Sequence, residues 1–175
     1  MFYKNIRKKY KVVPQQNIIN PIIGEYDDPF NQLQGVLTLN LTEDGNTAVY
    51  GSAESGKELL LSSIIYDTAV THSAKEVNFY ILDFGSETLR IFKGFPNVGD
   101  ICLIDDSEKI MRLFKMIKQE LKERKQKLVE YNGDYDLYLR TSGQIMPMIV
   151  VMINEYATFL QNYAAYDDEI AVMTK

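Results

Sequence analysis

Tryptophan is absent from this chain of 175 residues, and cysteine and histidine occur once each, as Cys102 and His72. A lone cysteine cannot close an internal disulfide, which fits a reducing compartment better than a cross-linked secreted scaffold. One cysteine and one histidine cannot furnish a Cys/His metal site. Long apolar runs are missing as well: the longest, Ile145–Ile153, is nine residues and contains Pro147. A membrane span needs about twenty, so none lies within this sequence. The start, Met1-Phe2-Tyr3-Lys4, shows no apolar leader and so no secretory signal. Positive charge is in deficit, with 19 Lys and Arg against 24 Asp and Glu, a net charge of −5. That balance speaks against a general nucleic-acid binder, which needs a basic face for phosphate contacts. What is present is ordinary for a folded domain, 46% apolar and 25% charged. The length suits one domain with a sizeable core.

The charge is unevenly placed. Lys4, Arg7, Lys8, Lys9 and Lys11 cluster at the start among few core-sized apolar groups, and predict a solvated surface lead, with contact to a partner as the second reading. Residues 12–34, rich in Pro, Gly, Asn, Asp and Gln, read as extended loop with turns. Val36–Leu41 alternates apolar and polar and predicts a half-buried strand. Thr47–Tyr50 predicts a short second strand, and Lys57–Tyr66 a helix. Val77–Asp83 is nearly continuous apolar, as a strand buried on both faces must be. Ile101–Ile104 predicts another strand. Asp105 and Glu108 are spaced as a capping box before a helix whose apolar stripe is Ile110, Leu113, Phe114, Ile117, Leu121 and Leu128. Eight Lys or Arg between Lys109 and Lys127 occupy its other faces and read as a solvated surface, and Asn132-Gly133 ends it. Pro147–Ile153 predicts a second buried strand, followed by one helix over residues 156–175. Strands alternating with helices imply an α/β layered fold with a mainly parallel sheet, whose ligands bind at the carboxyl ends of strands.

Two segments fall at such ends. Residues 51–58 read Gly51-Ser52-Ala53-Glu54-Ser55-Gly56-Lys57-Glu58. They fit the phosphate-loop pattern G-x-x-x-x-G-K-[ST] at every position but the last. The glycines let successive N–H groups face phosphates, the helix N-terminus adds positive potential, and Lys57 would reach the outer phosphates. At the last position the pattern wants a hydroxyl on Mg²⁺, and the chain has a carboxylate. Two like charges about 4 Å apart cost roughly 4 kcal/mol at an effective dielectric near 20, and Glu54 adds a second carboxylate to the loop. The second segment is Asn154-Glu155, after the strand Met148–Ile153. Phosphate-loop ATPases usually end this strand in Asp-Glu, the Asp in the Mg²⁺ shell and the Glu polarising the attacking water. Here the Glu is kept and the Asp is an amide, so Glu58 and Asn154 both strike the same metal.

Thr47–Lys57, Val77–Asp83, the run Glu123–Leu128 and Ile149–Phe159 together resemble the FtsK/SpoIIIE ATPase domain. The lead-in Gly24–Gln34 is similar to that of a later module of the type VII secretion ATPases (EssC/EccC, or YukA-like). The resemblance spans roughly residues 20–165. It implies a RecA-like phosphate-loop NTPase core with helices on both faces of the sheet, organised as a basic lead (1–13), a module lead-in with an edge strand (14–45) and a partial core (46–175). It further implies a place in a membrane-anchored motor that exports small helical proteins. Such a module would have neighbouring modules and secreted proteins as partners, and would meet the membrane, at its cytoplasmic face, only through the full-length parent. By position, Gly51, Gly56 and Lys57 match the phosphate loop and Glu155 the catalytic glutamate, while Glu58 and Asn154 depart. The expectation is a module that binds Mg·ATP weakly or not at all and serves in docking or regulation. The competing readings are an active ATPase with an atypical Mg²⁺ site, a DNA-translocase module, which the acidic charge disfavours, and a plain interaction domain with a vestigial loop. Only twenty residues follow Glu155, too few for the last strands of such a core, so a C-terminally truncated sheet with an open edge is also expected.

Overall fold

A computed structural model describes residues 2–173. The elements run α1 (Phe2–Tyr10), β1 (Ile22–Asp28), β2 (Leu33–Thr38), α2 (Lys57–Thr71), β3 (Val77–Asp83), β4 (Val98–Leu103), α3 (Ser107–Leu128), α4 (Tyr135–Ser142), β5 (Met148–Asn154), α5 (Tyr156–Tyr163) and α6 (Asp167–Met173). β3, β4 and β5 form a three-stranded parallel sheet in the order β4-β3-β5, and β1 and β2 form a separate antiparallel pair. The α/β class and the parallel sheet are those read from the sequence.

β3 is the centre of the molecule. It is paired on both edges, and its alternation splits two cores. Val77, Phe79 and Ile81 pack with Ile64 and Ile65 of α2 on one face. Leu82 packs with Ile110, Leu113, Phe114 and Ile117 of α3 and with Phe159 of α5 on the other. Helices therefore cover both faces, the arrangement a sheet apolar on both sides demands. On the α3 side the core is held by stacked rings: Phe159 lies 5.8 Å from Phe84, and Phe114 lies 4.4 Å from Tyr166, centroid to centroid. Tyr138 of α4 packs on both Tyr131 and Tyr135, so those tyrosines go into local packing.

Several expectations are corrected. Thr47–Tyr50 forms no strand; Tyr50 is 92% exposed, and β-propensity without a neighbouring strand supplies no ladder. Ile22–Asp28, read as loop, is a strand, because Leu33–Thr38 pairs back onto it across the turn Pro29–Gln32. The predicted strand 36–41 is shifted to Leu33–Thr38, with Leu39 and Leu41 still donating backbone bonds to Pro21 and Ile19. The capping box does not form: Asp106 is the N-cap of α3, and its carboxylate instead accepts from Leu103 N at 3.0 Å. The tail is two helices, not one, broken by a 3₁₀ turn at Ala164–Tyr166. Residues 174–175 of that expectation lie outside the described residues. The basic lead is a helix anchored by buried Ile6, not a wholly solvated segment. Among the described residues β4 and β5 are each bonded to β3 alone, so both are edge strands. No helix of the described residues is long and apolar enough to cross a membrane.

Candidate functional site at the carboxyl ends of the strands

The loop 51–56 lies exposed ahead of α2. Gly56 is the N-cap of α2 at φ 86°, in the left-handed region that glycine enters at little cost, and Glu54 shares that region at φ 60°. This alternation turns the loop back on itself, with Ser55 N donating to Ser52 O at 3.3 Å. Gly51 admits the close approach of the Ser55 side chain, which a Cβ would block. Lys57, in the first turn of α2, aims its ammonium at the loop's own carbonyls, 2.9 Å from Gly51 O and 3.1 Å from Ser52 O. It also pairs with Glu155 at 3.6 Å. Glu155 is the N-cap of α5 and sits at φ 60°, an uncommon conformation for a non-glycine residue.

Glu58 points the other way, into the end of the sheet. Its Oε1 accepts from Ser86 Oγ at 2.6 Å and from Asn154 Nδ2 at 3.2 Å, and its Oε2 accepts from Thr88 Oγ1 at 3.2 Å. These donors, Ser86 first and then Asn154, hold its carboxyl below the ordinary value of 4.5. Asn154, the last residue of β5, is 2% exposed. The structure thus brings Lys57 to Glu155 and Glu58 to Asn154, and leaves Ser52, Ala53 and Glu54 as exposed loop.

The sequence reading missed Asp83. It stands at the end of β3 directly opposite Asn154 in the parallel register and is 1% exposed. Its Oδ1 accepts from Asn154 Nδ2 at 2.8 Å, and its Oδ2 from Leu89 N at 3.0 Å. The available signal was a carboxylate closing an apolar strand that neighbours the Asn154 strand. Gly85 follows at a close approach: a Cβ there would lie 2.7 Å from Asn154 Nδ2 and 3.1 Å from Glu58 Oε1. Ser86 and Thr88 could not be found from sequence, because nothing in it says that their loop folds over the start of α2.

The FtsK/SpoIIIE family model matches residues 27–134. The ESX secretion system protein EccC of Geobacillus thermodenitrificans is 28% identical over 149 residues, 85% of this chain and 10% of that protein. The type VII secretion system protein EssC of Staphylococcus aureus is 29% identical over 135 residues, 77% of this chain and 9% of that protein. The chain therefore spans about a tenth of the length of these curated relatives. Among solved structures, ATPases 2 and 3 of Thermomonospora curvata EccC, in complex with a signal sequence peptide, superpose with a TM-score of 0.81 at 28% identity. The match covers 90% of this chain and 30% of that one. ATPases 2 and 3 of EssC from G. thermodenitrificans give 0.72 at 27% identity, covering 89% of this chain and 32% of that one. With a family model that takes in most of its length, the chain belongs to the FtsK/SpoIIIE family.

Proposed function

We propose that this chain is a module of a type VII protein secretion motor whose phosphate-loop site has lost Mg·ATP turnover, and that it acts in docking or regulation. The observation that carries this reading is the contact of Asn154 Nδ2 with Glu58 Oε1 at 3.2 Å. These are the two positions that would otherwise share a metal ion, and here they satisfy each other. The donor set does not suit Mg²⁺, which wants near-octahedral oxygen ligands. Both oxygens of Glu58 already accept hydrogen bonds, Asn154 turns its nitrogen toward the acid, and no group of three or more metal-binding side chains occurs among the described residues. Lys57 is directed at loop carbonyls rather than outward. The family makes nucleotide binding the natural first test, and weak or absent binding is the expected answer.

On this reading the partners are neighbouring modules of the same motor and small helical secreted proteins; the T. curvata EccC complex with a signal sequence peptide supports trying peptides first. DNA is disfavoured by the net charge of −5. The division into a lead (1–13), a lead-in (14–45) and a core (46–175), and attachment to a membrane through the parent, belong to the same proposal. Calorimetric titration of Mg·ATP into the wild type and into Glu58→Ser/Asn154→Asp tests it. Little heat is expected from the wild type and restored binding from the double variant. Steady-state phosphate release by the wild type that disappears in Lys57→Ala would overturn it in favour of an active ATPase.

A further inference from the structure

We infer that the amide of Asn154 replaces the divalent cation of this site, bridging two carboxylates in a metal-free clasp that pins the start of α2 to the end of the sheet. The inference rests on the reading of the site as one that no longer holds Mg·ATP, and says what holds it together instead.

The geometry is that of a bridge. Asn154 Nδ2 lies 2.8 Å from Asp83 Oδ1 and 3.2 Å from Glu58 Oε1. An NH₂ group has two hydrogens, one for each carboxylate. Both neighbours are acceptors, so only the nitrogen of the amide can face them. Asp83 and Asn154 are level in adjacent parallel strands, while Glu58 reaches in from the first turn of α2 across the sequence separation |i−j| of 96. No Lys or Arg pairs with Glu58 or Asp83 among the described residues. Two negative groups thus meet at one point with no cation between them. The remaining donors are Ser86 N, Ser86 Oγ and Thr88 Oγ1 to Glu58, and Gly85 N and Leu89 N to Asp83, all from the segment just after β3. One amide therefore ties together three parts of the fold: α2, the end of β3 with its following loop, and the end of β5.

A change to aspartate shows what the amide does. Asp at 154 would put a third carboxylate against the other two, and the cluster would then need a cation or the loss of one charge. The test is thermal unfolding of the whole chain in chelator, without nucleotide, for wild type, Glu58→Gln, Asn154→Asp and Asn154→Asp/Glu58→Gln, each repeated with millimolar MgCl₂. Asn154→Asp is expected to lower Tm by about 5 °C in chelator. Glu58→Gln is expected to relieve that loss by removing one charge and restoring a donor, and MgCl₂ to relieve it in the Asn154→Asp single variant while leaving the wild type unchanged. Should Asn154→Asp fail to fold, the double variant is compared with Glu58→Gln alone, and near-equal Tm values then support the clasp. An unchanged Tm for Asn154→Asp, a loss that Glu58→Gln does not relieve, or equal stabilisation of wild type and variant by MgCl₂ would overturn it. ATP turnover by the wild type would overturn the proposed function instead, since these melts contain no nucleotide.

Discussion

Arg7 of α1 grips Asp67 of α2 with two N–H groups along one edge of its guanidinium: Nε lies 3.1 Å from Oδ1, and Nη2 bonds Oδ2. Asp67 is fully buried and also accepts from Ile22 N at 2.7 Å, so one carboxylate joins α1, β1 and α2. Arg7→Ala would leave a buried carboxylate with the Ile22 amide as its main donor. Breaking a buried pair from one side costs about 3 kcal/mol, roughly 6–12 °C in Tm at this chain length. Arg7→Lys should recover only part, because an ammonium cannot make the forked contact. Thermal melts read the effect, and a shift under about 1 °C for Arg7→Ala would show that the pair contributes nothing.

The Glu58 carboxyl sets a pH dependence. Its pKa in the folded chain lies below the ordinary 4.5, held there by Ser86 Oγ first and the Asn154 amide second, with Thr88 also donating. A depressed carboxyl adds stability above its unfolded value and loses it as pH falls through its folded value. The wild type should therefore exceed Glu58→Gln in Tm above about pH 4.5 and converge with it at lower pH. Denaturation series of the two proteins from pH 7 to pH 3 check this; an unchanging gap across that range would be the contrary result.

Gly85 leaves no room for a side chain. A Cβ would fall 2.7 Å from Asn154 Nδ2 and 3.2 Å from Glu155 Cγ, so Gly85→Ala should cost about 1–3 kcal/mol by displacing them. Gly24 has nothing within 4 Å of the equivalent position and serves as the control. Chemical denaturation of the two alanine variants compares them directly, and equal midpoints would contradict the packing described.

Cys102 is buried, and burial pushes its thiol up to about 11. Only the thiolate reacts readily with disulfide reagents. Its labelling at pH 8 should therefore be slow in the native protein and complete after denaturation. Rapid native labelling would mean that the Leu82–Phe159 core opens easily.

Much of this was legible in the sequence, for reasons that differ by element. β3 was readable to the residue because seven nearly continuous apolar positions have one stable home, a strand covered on both faces. The stripe of α3 was readable because Ile110, Leu113, Phe114 and Ile117 keep the helical period. The phosphate loop and Asn154-Glu155 were readable as motifs. Pairing was not readable. Ile22–Asp28 became a strand through contact with β2, and Thr47–Tyr50 failed to become one for want of a neighbour, and neither fact resides in the local residues. The tail broke where Tyr163 and Tyr166 turn to stack in the core, after which Asp167, Asp168 and Glu169 begin a new helix with acids at its positive end. Asp83 was hidden because its role depends on register with a strand more than sixty residues away.

Among the described residues β3 alone is bonded along both edges and roofed on both faces, which makes it the part of the chain whose amides exchange with solvent only through global opening. Residues 42–56, all exposed, are the opposite extreme and should exchange almost freely. Asp83 belongs to the first population and Glu58 begins just after the second. Asn154, which donates to both, is thus a joint between the slowest and fastest clocks of the molecule, and an event that loosens it would be felt at the loop long before it reached the sheet.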